Sequence, residues 1–162
     1  MTNIHPPRRG LRPNSPLAMQ PDERERFLAD VHVGIVAHNT SPHRAPLASP
    51  VWYSYEPGGD VVFVTAANSL KALHLAGLET ATFLVQDEDP PQRFVGVSGP
   101  VSVTAGASPA VRRTIARRHL PEHEIAGFLA MTPSAALVTV SLMPATWWST
   151  DFGKLATAPL PS

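Results

Sequence analysis

The chain has 162 residues, 43% of them apolar and only 16% charged, and its 13 basic side chains balance 13 acidic ones. This length implies one domain, the neutral charge argues against gripping nucleic acid through its phosphates, and the lack of cysteine excludes disulfides, thiolate metal sites and cysteine nucleophiles. No apolar run approaches the ~18–20 residues that span a bilayer, and residues 1–20 carry Arg8, Arg9 and Arg12 without an apolar segment, so a soluble cytoplasmic domain with no membrane span or secretory signal is expected.

Residues 1–20, with Pro6, Pro7, Pro13 and Pro16, read as a flexible arm, and 156–162 as a flexible tail, leaving 21–155 to fold. Pro21 opens a helix over 22–30, with Asp22 and Glu23 at its positive end. Strands are expected over 31–38 and 44–55. Pro46 and Pro50 place the second at an edge or bulge. A turn at Pro57-Gly58-Gly59-Asp60 leads to a strand over 61–65. A helix over 68–78 follows, capped by Asn68 or Ser69, with Leu70, Leu73 and Leu75 as its apolar positions. Further strands are expected over 80–87 and 93–104, with Gly96 and Gly99 as bend points. Ser108-Pro109 opens a helix that breaks at Pro121, and a second helix runs to about Met131. Strands over 135–143 and 146–152 complete a mainly β chain of six or seven strands. A closed or partly open β-barrel with flanking helices is the expected architecture.

The stretch 61–75, VVFVTAANSLKALHL, carries the chemistry. A strand ends at Thr65, and a helix starts just after a short loop. First-turn amides lack internal partners, and together with the helix dipole they favour an anion. Ser69 adds a hydroxyl and Lys71 a positive point charge, a combination suited to phosphate. An ordinary helix start with a solvated lysine is the alternative. Lys71 and Lys154 are the only lysines beside eleven arginines, a bias that GC-rich coding also produces.

The run T-A-A-N-S-L-K-A-L-H-L resembles the pyridoxamine 5′-phosphate oxidase-like split-barrel superfamily, as do Pro50 to Tyr53 (PVWY), the strand 81–87, and RFVGVSGPVSV at 93–103. The resemblance covers about 31–153. It implies a split β-barrel of antiparallel strands that forms a homodimer, with the cofactor in a groove between subunits. The implied cofactor is FMN, with coenzyme F-420 as alternative. Thr65, Ser69 and Lys71 match phosphate-binding positions, next to Ala66. Leu70 stands where many members have arginine. Pro50, Val51, Trp52 and Tyr53 match the strand whose backbone borders the ring.

The pyridoxamine oxidase's basic residues are absent from 49–54, and Thr146-Trp147-Trp148-Ser149 replaces its C-terminal substrate motif. Pyridoxamine phosphate is therefore not the expected substrate. Trp147 or Trp148 borders the cofactor or packs in the barrel, since neighbours on a strand face opposite ways. Gln86 and Arg93 lie near strand ends, toward the ring or the second subunit. Arg112, Arg113, Arg117 and Arg118 form a basic helix face, either solvated or facing the F-420 glutamate tail or a partner. No metal site is expected, because Pro121 breaks the helix between His119 and His123. The expected activity is hydride transfer to a small organic substrate, with no catalytic side chain evident. A non-catalytic flavin or F-420 carrier is the alternative.

Overall fold

A computed structural model describes residues 15–41 and 43–156, so most of the expected arm over 1–20 and most of the expected tail over 156–162 lie outside the described residues. The elements are α1 (Pro21–Ala29), β1 (Gly34–His38), β2 (Leu47–Val51), β3 (Tyr53–Ser54), β4 (Val61–Ala66), α2 (Leu70–Leu75), β5 (Thr80–Asp87), β6 (Arg93–Ala105), α3 (Pro109–Ala116), α4 (Glu122–Ala130), β7 (Leu137–Leu142) and β8 (Thr146–Asp151). The strands lie in the order β2-β1-β5-β6-β7-β4-β3, and β8 also pairs with β6. All these pairings are antiparallel.

The long strand β6 joins the two halves. Its first part pairs with β5 and β8, and Val101 to Ala105 pair with β7. The expected single strand over 44–55 is instead two, because the chain changes sheets at Trp52. β2 pairs with β1, and β3 pairs with β4.

Alternation buries one face of β1, β4 and β5. In β5, Ala81, Phe83 and Val85 point inward; in β4, Val61 and Phe63 do. Phe83 meets the ring of Tyr53 edge to face at 4.9 Å. It also fills the space beside Gly34, where a Cβ would clash with its ring. Gly96 and Gly99 serve close approach more than bending. The Trp148 indole lies on Gly96, and the Met143–Ala145 backbone crosses Gly99.

Two further expectations need correction. Residues 17–19 are not a loose arm. The Leu17 carbonyl accepts from Asp151 N at 2.8 Å. The Met19 amide donates to Ser149 Oγ at 3.0 Å, and the Met19 side chain is buried. Lys154 Nζ closes the contact, donating to the Ala18 carbonyl at 3.1 Å and to Glu23 at 2.6 Å. These partners lie more than 100 residues away in sequence, so local composition could not reveal them. The second correction is in α2, which is shorter than expected. Ala72 and Leu75 form its buried stripe, whereas Leu70 and Leu73 are 66% and 60% exposed.

Three histidines, His32, His38 and His119, have pKa values held below the ordinary range chiefly by burial. For His32 the burial outweighs Asp87, whose carboxylate lies 3.5 Å from Nδ1. A group with a depressed folded pKa binds protons more readily when unfolded, so acid favours unfolding. Stability is expected to fall as pH drops below about 6.5, where unfolded histidine protonates. Thermal melts at pH 7.5 and 5.5 test this. The His38→Gln variant should show a smaller drop than the wild type.

Candidate functional site

The end of β4 delivers Thr65 and Ala66 to a tight turn, closed by the Ser69 amide donating to the Ala66 carbonyl at 3.0 Å. Ser69 then caps α2, accepting from Ala72 N at 3.2 Å, and lies 3.3 Å from Thr65 Oγ1. Lys71 projects from the first turn into a cavity of about 420 Å³. The sheet-switching segment Pro50, Val51 and Trp52 forms one wall. Trp52 is held by stacking on His119, with ring centroids 4.6 Å apart and planes 9° apart, and by Phe128 at 5.6 Å. The helices α3 and α4 close the other side with Arg112, Ile115 and Phe128, and Met131, Thr132 and Leu137 complete it.

The charge content of this cavity is one-sided. Two cations, Lys71 and Arg112, line it, and no carboxylate does. Lys71 makes no hydrogen bond or ion pair among the described residues, and burial lowers its pKa. Arg112 is only 6% exposed, and its one polar contact among the described residues is Nη2 to the Leu129 carbonyl at 2.9 Å. Buried charge without a counter-charge is costly, and a bound anion would relieve that cost at both groups. Aromatic and aliphatic walls with a few converging polar groups suit an organic ligand. A recess of about 510 Å³ near Ala37, His38 and Ser98 has no Lys or Arg in its lining and lacks this character.

Of the residues singled out in the sequence, Pro50, Val51, Trp52, Thr65, Ala66 and Lys71 come together here. Ser69 supports Thr65 from behind. The others lie elsewhere in the single chain. Tyr53, next to Trp52 on the opposite face, is wholly buried in the core, and its hydroxyl donates to the Leu28 carbonyl at 2.6 Å. Leu70 faces a separate recess with Arg44, Leu47 and His74. Gln86 is exposed, opposite Phe94. Arg93 pairs with Asp87 at 2.5 Å and covers the Phe27 ring at 4.9 Å. Trp147 lies against Tyr55 and beneath Arg24, and Trp148 covers Gly96.

In the sequence, Arg112 is one of four arginines on a single basic helix face. That face is divided. Arg113 and Arg117 are exposed and pair with Glu122, at 3.5 and 3.1 Å. Arg118 donates to the Asp30 carbonyl at 2.6 Å and lies over Tyr53. The spacing of Arg112, Ile115 and Ala116 was the available signal, because i, i+3 and i+4 share the inward stripe.

No family model and no curated protein matches the chain. Solved structures do. A conserved hypothetical protein from Mycobacterium tuberculosis is 22% identical with a TM-score of 0.70, over 91% of this chain and 94% of the other. A structure described as an F420 reductase is 19% identical with a TM-score of 0.60, over 76% of this chain and 94% of the other. An FAD and heme binding protein from Mycobacterium smegmatis is 16% identical with a TM-score of 0.63, over 91% and 89%. At these identities the likeness is one of fold. The chain has the split-barrel architecture that the sequence resemblance implied. Among the described residues, no helix is long and apolar enough to cross a membrane.

Proposed function

We propose that this chain binds a phosphate-bearing flavin-type cofactor, FMN first and coenzyme F-420 second, and acts as an oxidoreductase on a small organic substrate. The observation that carries this reading is Lys71, without an ion-pair partner among the described residues, at the Thr65–Lys71 turn in the wall of a cavity that no carboxylate lines. Solved structures of the same fold described as an F420 reductase and as an FAD and heme binding protein support it. The donor set fits a phosphate. Lys71 offers the charge and Thr65 a hydroxyl held by Ser69. The segment Pro50 to Trp52 and Phe128 would border a flat ring, with the Trp52 indole already fixed by its own stack.

The bound cofactor would supply the hydride chemistry, and the protein binding, orientation and exclusion of water. Among the described residues no carboxylate or histidine lines the cavity, and its lysine is taken by the phosphate. That suits direct hydride transfer. We place the cofactor in a groove of a homodimer, with the exposed Leu70 and Leu73 covered by the second copy and Arg93, Gln86 and Trp147 serving the partner's site. Carrier function without turnover is the second reading.

Titration of the purified protein with FMN, riboflavin and F-420, followed by absorbance, tests this. FMN is expected to bind at least tenfold tighter than riboflavin, which lacks the phosphate. Equal affinity for FMN and riboflavin, with no F-420 binding, sinks the phosphate reading. Oxidation of NAD(P)H by the FMN-loaded protein, or of reduced F-420 by an added acceptor, would favour an enzyme. Binding without either favours the carrier.

A further inference from the structure

We propose that Arg112 is the receptor for a carboxylate on the substrate, so that the cavity takes an organic acid with a flat apolar body. The inference deepens the proposed function and takes from it only that Lys71 receives the cofactor's phosphate. Its own ground is the state of Arg112. This guanidinium is nearly wholly buried, in a cavity wall, and only Nη2 has an acceptor, the Leu129 carbonyl. Nε and Nη1 have none among the described residues, yet neither is sealed from solvent without a partner as Nε of Arg24 and of Arg118 are. Both therefore keep access to a ligand, on a residue that lines the cavity.

The acid nearest in sequence to α3, Glu122, is engaged by Arg113 and Arg117 at the surface and not by Arg112. The fold thus neutralises the arginines that water already solvates and leaves the buried one without a counter-charge. Desolvating a guanidinium against a single neutral carbonyl is unfavourable, and an apolar residue would normally be the more stable choice there.

The two cations of the cavity differ in the shape they recognise. Lysine meets an anion as a point charge, which suits phosphate. Arginine presents a planar fork that matches the two oxygens of a carboxylate. The cavity it lines also has Ile115, Phe128 and Met131, all apolar, with the Trp52 ring beside Phe128. They fit an aromatic or unsaturated body attached to that carboxylate. A neutral analogue would leave the arginine unpaired, so selection for the acid is strong.

Benzoate and benzamide are the probes, titrated into the wild type and into Arg112→Gln, Arg112→Lys and Lys71→Ala, with melting curves as a check on folding. Benzoate is expected to bind the wild type saturably and at least tenfold tighter than benzamide. Arg112→Gln should weaken benzoate at least tenfold. Arg112→Lys, which keeps charge without the fork, should weaken it severalfold. Lys71→Ala should leave benzoate within threefold, and Arg112→Gln should leave FMN within threefold. The proposal is overturned if the wild type does not bind benzoate, if benzamide binds as well, or if Arg112→Gln does not matter. It is also overturned if Arg112→Gln removes FMN as Lys71→Ala does, since the arginine then belongs to the phosphate site. If benzoate depends on Arg112 but FMN does not bind the wild type, the cofactor reading fails and the carboxylate receptor stands.

Discussion

Replacing Lys71 with methionine is expected to weaken FMN binding about 10–100-fold while raising the melting temperature of the ligand-free protein. The first effect follows from the loss of a charge-assisted contact, typically about 1.5–3 kcal/mol, with about 1.4 kcal/mol for each factor of ten. The second follows from the free state. Lys71 is partly buried without an ion-pair partner, and burial lowers its pKa. The charged form is therefore disfavoured in the fold. That penalty is present below the lowered folded pKa and is relieved as pH rises from there toward the unfolded value. Methionine keeps much of the side chain's length and apolar stem, and it removes the charge. Opposite signs for affinity and stability identify a residue retained for a ligand. A fall in melting temperature with unchanged FMN affinity would show that Lys71 is an ordinary structural residue. In the wild type, affinity should also weaken as pH rises through the lowered lysine pKa, a dependence that the methionine variant lacks.

Gly99→Ala is expected to destabilise the fold by about 2–3 kcal/mol, at the upper end of overpacking costs. A Cβ there would overlap the Met143 carbonyl oxygen and press on the amide and Cβ of Ala145. The obstruction is backbone, so no rotamer change relieves it. The crossing segment is also fastened on both sides, by Met143 N to the Pro100 carbonyl at 2.9 Å and Ala145 N to the Ser98 carbonyl at 3.0 Å. Moving it would disturb the join between β7, β8 and the middle of β6. Gly127→Ala is the internal control. Nothing lies within 4 Å of a Cβ at that position inside α4. This second alanine should instead stabilise by about 0.4–1 kcal/mol, because it restricts the unfolded chain and favours the helix. Urea unfolding of the two variants checks both signs together. A neutral Gly99→Ala would mean that the β7–β8 connection yields easily, and the close approach would lose its significance.

Most of the strands were legible because their signal is local. The expected strand over 80–87 coincides with β5, and the one over 93–104 differs from β6 by a single residue at its end. Alternation places Phe83 and Val85 on one face whatever the rest of the chain does. The turn from Thr65 to Lys71 was legible for the same reason. Thr65, Ser69 and Lys71 are close in sequence, so a strand end and a helix cap bring them together without help from distant parts. The α2 register was misread because six residues make less than two turns, and three leucines at close spacing could not say which of them faced inward.

The sequence by itself determined a mainly β chain with a Thr–Ser–Lys turn and no excess charge. These properties depend on residue type and near neighbours. Only the tertiary structure decided which groups share the cavity. Trp52 enters its wall because the chain changes sheets there. Tyr53 beside it is turned to the core. Arg112 reaches the same cavity from α3, some forty residues beyond Lys71, and is separated from Arg113 by one step of helical rotation. The neutral total of 13 and 13 charges hid this local imbalance. Net charge sums over the whole surface, whereas binding responds to the few charges that packing removes from water together.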